Sequence, residues 1–167
     1  MGSNTSRILV PFHAEGSGVA DLTWAQLGIW QTMRDTGLSM NIGGTVPMPA
    51  GTTVREIETV LRYLVIRHQA LRTRLRFDPD RTRQVVSAEG ELTLEVIHVD
   101  DDEDPGAAAE KLRLRYESTP FAYETEWPVR MGVVTSSPST GSASTRSCGT
   151  WPTSTPRPAR RRRRCRA

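Results

Sequence analysis

One break in composition limits which part of the chain can fold around a hydrophobic core. The chain has 167 residues, and no Leu, Ile, Val, Met or Phe occurs after Val134. Residues 135–167 contain seven Ser, six Thr, four Pro and eight Arg, with Trp151 as the single large apolar side chain. Such a segment buries too little apolar surface to offset the entropy lost on ordering. We therefore predict a folded body over residues 1–134 and a disordered tail over residues 135–167.

The same break separates the charges. Residues 1–134 carry 14 basic and 19 acidic side chains, whereas residues 135–167 carry eight arginines and no acid. The overall net charge of +3 is therefore the sum of −5 for the body and +8 for the tail, and the basic character belongs to the tail. Binding of nucleic acid or another acidic partner is not the favoured interpretation, and this tail is the only route by which we would expect it.

The choice of basic residue suggests an origin for the tail. All but one of the 22 basic residues are arginine, which is typical of a GC-rich gene. In such a gene, a reading out of phase tends to produce runs of Arg, Pro, Ser, Thr and Ala. We interpret residues 135–167 as the product of a frameshift or gene-model error. A genuine basic tail is the alternative.

Several classes of protein are not indicated. No run of about 18 apolar residues predicts a transmembrane helix, and the first residues lack the pattern of a signal peptide. Cys148 and Cys165 belong to no Cys-x-x-Cys or Cys/His cluster, so we expect neither a metal site nor a disulfide framework. A cytoplasmic protein without membrane contact is the expectation.

Periodicity in the body predicts an α/β fold of order β-α-β-α-β-β-β-α-β. The clearest helix begins at a capping box formed by Thr53 and Glu56 and carries one apolar stripe. Strands are predicted near residues 7–12, 40–48, 73–77, 84–87, 92–99 and 129–134, and helices near residues 24–34, 54–70 and 105–117. A Gly-rich turn is expected at residues 15–18.

The residues that could carry chemistry form no recognisable catalytic pattern. His13, His68 and His98 are isolated, and we interpret them as structural. The sequence Gly16-Ser17-Gly18 lacks the sequel of a Rossmann turn. The acidic run from Asp100 to Asp104 fits helix capping better than cation binding. Four arginines could line a phosphate groove, although a solvated or ion-paired face is the preferred interpretation: Arg67, Arg72, Arg74 and Arg76.

Three segments resemble motifs of the condensation domains of nonribosomal peptide synthetases. Residues 22–30, Leu-Thr-Trp-Ala-Gln-Leu-Gly-Ile-Trp, resemble the opening Leu-(Ser/Thr)-x-Ala-Gln-x-x-x-Trp motif. Residues 67–75, Arg-His-Gln-Ala-Leu-Arg-Thr-Arg-Leu, are similar to the second motif, Arg-His-Glu-(Ala/Met)-Leu-Arg-Thr-Arg-Phe. Pro120-Phe121 with Trp127-Pro128-Val129-Arg130 resembles the stretch before the next strand. The resemblance covers about residues 22–134.

The resemblance implies part of the N-terminal lobe of a chloramphenicol acetyltransferase-like acyltransferase. In that family a His-His-x-x-x-Asp-Gly motif follows the strand matched here by residues 129–134, yet no histidine follows His98. We therefore assign no catalytic, cofactor-binding or metal-binding residue, and take His68 and Arg72 as structural. The implied partners are synthetase modules and carrier proteins, whose phosphopantetheine carries the substrates.

Two expectations follow for the chain as given. It should be a truncated and inactive form of a condensation domain, with an exposed sheet edge and exposed apolar surface. The alternative function is a non-enzymatic interaction module whose arginine-rich tail binds nucleic acid or an acidic partner.

Overall fold

The computed structural model describes residues 4–136 and the backbone of residues 145–150. These residues form eight strands, three α-helices and one 3-10 turn at Gln69–Arg72. The strands are β1 (Asn4–His13), β2 (Gly18–Asp21), β3 (Gly43–Pro47), β4 (Thr73–Phe77), β5 (Thr82–Val86), β6 (Glu89–Val99), β7 (Met131–Ser136) and β8 (Thr145–Thr150). The helices are α1 (Trp24–Thr36), α2 (Val54–Arg67) and α3 (Pro105–Ser118).

The strands form two sheets. The larger sheet has the order β1-β6-β7-β8-β3, and the smaller has the order β2-β5-β4. Strands β6 and β7 are parallel, whereas every other pairing in both sheets is antiparallel. Helix α3 connects the two parallel strands, as a parallel crossover requires.

Helices cover the two faces of the larger sheet. On one face, Ile57, Leu61 and Val65 of α2 pack with buried residues of β1, β6 and β7. On the other face, Ala109 and Leu112 of α3 belong to a second apolar cluster with strand residues. Strand β6 serves both faces because successive side chains of a strand point in opposite directions.

The helix starts follow the local sequence. The Thr53 side chain accepts from the Glu56 amide at 3.3 Å, and the Thr53 amide donates to the Glu56 carboxylate at 2.7 Å. Asp104 accepts from the amides of Gly106 and Ala107, each at 3.0 Å, and Pro105 is the first residue of α3. The interpretation of the acidic run as helix capping therefore fits the contacts of Asp104.

The predicted order of elements is right except for two strands. Strand β2 lies immediately after the expected Gly-rich turn and was not predicted, because its four residues, Gly-Val-Ala-Asp, are too short to show a period. Helix α2 ends at Arg67, three residues earlier than expected, because His68 adopts an extended backbone. No helix in residues 4–136 combines the length and apolar character that a membrane crossing needs.

The second unexpected strand lies in the segment for which the composition predicts disorder. Thr135 and Ser136 complete β7, and β8 pairs between β7 and β3. Backbone hydrogen bonds of a sheet do not require apolar side chains, and threonine is favourable in strands. Of the other residues predicted to be disordered, residues 137–144 and 151–167 lie outside the described part of the chain.

Candidate functional site

Trp30 of the first motif, Arg74 of the second and Trp127 of the third lie in one cluster with two residues outside the quoted motifs, Phe77 and Tyr123. We call these five residues the motif cluster. Trp30, from the first motif, stacks on Phe77 with ring centroids 4.9 Å apart and meets the Tyr123 ring edge-on at 5.6 Å. Leu75, from the second motif, donates its amide to the Tyr123 carbonyl at 2.8 Å. Residues far apart in sequence thus form one packed contact.

Trp127 connects the cluster to the larger sheet. Its indole Nε1 donates to the Glu91 carbonyl at 2.8 Å, and its ring meets Phe12 edge-on at 5.4 Å. The Arg74 guanidinium lies 4.3 Å from the centroid of the Trp127 ring, a cation–π distance. Gly90 is needed beneath this ring, because a Cβ there would lie 2.5 Å from the indole.

Arg130, the last residue of the third motif, holds the end of α3 next to the start of β7. Its guanidinium donates to the carbonyls of Tyr116 in α3 at 3.3 Å and of Pro120 at 2.9 Å, and it pairs with Glu126 at 2.6 Å. It also lies 4.0 Å from the centroid of the Phe121 ring. Burial raises the pKa of the neighbouring Tyr123 phenol, and the positive charge of Arg130 opposes that rise. The Arg130 side chain therefore joins the end of α3 to the segment that leads into β7.

Arg72 of the second motif is buried and bonds only to backbone. Its side chain donates to the carbonyls of Glu15 at 2.7 Å, Gly16 at 2.6 Å and Ser87 at 2.5 Å. Its relative exposure is 1%, and its Nε has no hydrogen-bond partner among the residues that the structure describes. These bonds join the loop between β1 and β2 to the turn between β5 and β6.

A groove of about 440 Å³ lies on the sheet face beyond the end of α3. Buried Glu95 lies in its lining, where it accepts from the Tyr116 hydroxyl at 2.9 Å and from Arg115 at 2.7 Å. The hydrogen bond that Arg115 donates to the Glu95 carboxylate raises the pKa of Arg115. Trp127 and Arg130 of the third motif also line the groove. The sequence analysis did not identify Glu95 with its partners Tyr116 and Arg115. The available signal was the acidic Glu95 between the apolar residues Leu94 and Val96 of β6.

The three histidines lie on separate elements. His13 is exposed on β1 and lies 3.8 Å from the Glu89 carboxylate. His68 follows α2, and His98 lies on β6. Within the described residues, no group of three or more His, Cys, Asp or Glu side chains could hold a metal ion.

The four arginines considered for a phosphate groove are dispersed. Arg67 donates to the Tyr63 hydroxyl at 3.2 Å, and Arg76 pairs with Asp78 at 3.4 Å. Arg72 is buried, whereas Arg74 covers Trp127. The structure therefore does not bring these side chains together around one anion.

The fold is shared with solved condensation domains. The starter condensation domain of rhizomide synthetase RzmA matches with a TM-score of 0.62 and 17% identity, covering 78% of this chain and 32% of that one. The condensation domain from the Monacolin K polyketide synthase MokA gives 0.60 and 16%, covering 78% and 29%. A chain from the complex of the X-domain and OxyB from teicoplanin biosynthesis gives 0.57 and 21%, covering 77% and 27%.

These matches also measure how much of the fold the chain contains. It spans about a third of the length of the solved structures it matches. No curated protein sequence matches it. The family model described as Condensation domain matches residues 17–141, which is most of the chain and includes all three motifs. The chain belongs to the condensation domain family.

Proposed function

We propose that this chain represents the first part of the N-terminal lobe of a condensation-type acyltransferase of nonribosomal peptide or polyketide assembly. The observation that carries the proposal is the convergence of three family-like motifs on one packed cluster. In the whole enzyme, such a lobe would form one wall of a site where an amine or hydroxyl attacks a carrier-bound thioester. Carrier proteins and synthetase modules are the proposed partners, and the cytoplasm is the proposed location.

We further propose that the chain as given does not catalyse this reaction. The family's general base, or charge-stabilising group, is the second His of a motif expected directly after β7. No histidine follows His98 in the sequence, and His98 itself lies on β6. The side chains of the motif cluster are engaged in packing and in cation–π contact, which leaves them a structural role.

An aminolysis assay tests this proposal. The full chain is mixed with an acyl-phosphopantetheine thioester and a simple amine, and release of the free thiol is followed. Attack by the amine forms the amide bond and breaks the thioester carbon–sulfur bond, and a proton passes from the amine to the thiolate. We expect the same rate with and without the protein. A faster release that disappears in His98→Ala, His68→Ala or His13→Ala would contradict the proposal.

The arginine-rich segment supports a second candidate function. Five consecutive arginines at residues 160–164 follow a body with an excess of acids, so this segment is the basic part of the chain. Binding of an acidic polymer through it should weaken steeply as salt rises, because counterions are released. A heparin column tests this: the full chain should bind, and deletion of residues 151–167, which carry seven of the eight arginines after residue 134 and leave β8 in place, should abolish retention. Retention of the shortened chain would contradict this function.

A further inference from the structure

Strand β1 is an edge strand of the larger sheet. Along its whole length it pairs with β6, from Asn4 opposite His98 to His13 opposite Glu89. Among the described residues no strand pairs with its other side. The outer edge of β1 is therefore the place to look for an interaction through the backbone.

Two contacts show which backbone groups face this outer edge. Ala14, just after β1, donates its amide to Ala88 at 2.7 Å, toward the partner strand. Pro11 accepts from Arg62 of α2 at 2.9 Å through its carbonyl and has no N–H to give to a ladder. Inward and outward groups alternate along an antiparallel strand. The amides and carbonyls of Thr5, Arg7 and Leu9 consequently face outward, as the Pro11 carbonyl does.

Only one end of this edge is blocked. Pro11 offers no donor, and Arg62 occupies its carbonyl. Over Thr5–Leu9 there is no proline and no side chain donates to a backbone carbonyl in the described structure. Leu9 is also 58% exposed, so no described side chain covers it. An open row of donors and acceptors is a template for one more strand.

The charge at the centre of this row limits what can pair with it. Arg7 lies directly opposite Glu95, whose two oxygens already accept from Arg115 and Tyr116. Arg7 forms no ion pair among the described residues. In an antiparallel pair with a second copy of the chain centred on Arg7, Thr5 would lie opposite Leu9 and Arg7 opposite Arg7. Like charges directly opposite each other destabilise a strand pair.

We propose that the outer edge of β1 over Thr5–Leu9 binds an extended segment of a partner protein that places an acidic side chain opposite Arg7. Backbone hydrogen bonds would supply the affinity of this strand addition, and the Arg7–acid pair would supply the selectivity.

The test uses the full chain and two capped synthetic peptides, acetyl-Thr-Val-Glu-Val-Ser-amide and the same peptide with Lys in place of Glu. Amide hydrogen exchange is followed by NMR. We expect the Glu peptide to slow exchange at the amides of Thr5, Arg7 and Leu9, and to bind roughly three- to fivefold tighter than the Lys peptide. Arg7→Glu should reverse that preference. Arg55→Glu, the same charge change on an exposed position of α2, should leave it unchanged.

Three outcomes would overturn the proposal. One is equal protection by both peptides, and another is an unchanged preference in Arg7→Glu. The third is a concentration-dependent dimer that protects the same amides without peptide, which would assign the edge to a second copy of the chain.

Discussion

Arg72 is a buried cation that bonds to three backbone carbonyls and to no carboxylate. Replacing it with Met would remove the guanidinium donors from these carbonyls while keeping most of the side-chain volume. We expect Arg72→Met to lower the free energy of unfolding by about 2–4 kcal/mol, because unpaired polar groups in a folded interior are costly. Urea unfolding measures this loss. Arg55→Met, at an exposed position, should stay within about 0.5 kcal/mol of the parent chain, and an equal loss in both variants would contradict this role of Arg72.

Two tryptophans of α1 provide a second comparison at the residue scale. Trp30 contacts Phe77 and Tyr123, whereas Trp24 is 91% exposed. We expect Trp30→Ala to destabilise the chain by about 2–3 kcal/mol and Trp24→Ala by less than about 0.5 kcal/mol. Because α1 has no fully buried residue, hydrogen exchange should also show earlier opening of α1 in Trp30→Ala. Comparable losses in the two variants would show that the motif cluster does not hold α1.

At the scale of elements, two glycines should respond in opposite directions to alanine. A Cβ on Gly132 of β7 would lie 2.5 Å from Leu112 of α3, whereas a Cβ on Gly28 of α1 would meet nothing within 4 Å. We expect Gly132→Ala to cost about 1–3 kcal/mol through overpacking. Gly28→Ala should stabilise the chain by about 0.5–1 kcal/mol, because alanine favours a helix interior. Thermal unfolding of both variants measures the difference, and a stable Gly132→Ala would argue against close packing of α3 on β7.

The capping box of α2 makes the free energy of unfolding of the chain depend on pH. Hydrogen bonds from the Thr53 backbone and side chain lower the pKa of Glu56 from its ordinary value of 4.5. A carboxylate with a lowered pKa stabilises the fold fully above the unfolded pKa and loses that effect as pH falls through the folded pKa. Between about pH 6 and about pH 3, the free energy of unfolding should therefore fall less in Glu56→Gln than in the parent chain, as measured by denaturant unfolding. Identical pH profiles would contradict this role.

Sequence reasoning was most successful for elements with a clear period or cap. Helix α2 shows both, and its start at Val54 agrees with the prediction. Strand β2 has neither signal, because four exposed residues carry no burial pattern. Strand β8 could not be predicted from apolar content, because its pairing with β7 and β3 depends on backbone groups.

The motif cluster shows the same limit at the scale of the site. The three motifs were visible in the sequence, and their resemblance to condensation domains is confirmed by the family match. Their mutual contacts were not visible, because Trp30, Phe77 and Tyr123 are separated by long stretches of chain. The Glu95 pair was missed for a related reason: its partner Tyr116 comes from α3, across the face of the sheet.

At the scale of the whole molecule, the chain contains about a third of a condensation fold. Its larger sheet packs against a helix on each face. The catalytic motif of the family has no counterpart after β7 in this reading of the gene. We propose that a change of phase beyond β7, where apolar residues end and the arginine-rich composition begins, accounts for this; a genuine basic tail is the alternative.

Sequencing the gene through the codons for residues 134–167 and beyond tests that account most directly, when all three phases are read. We predict that another phase continues with a His-rich motif and further condensation-like sequence. If the present frame and its stop codon are confirmed, and no other phase continues the domain, the change of phase is contradicted.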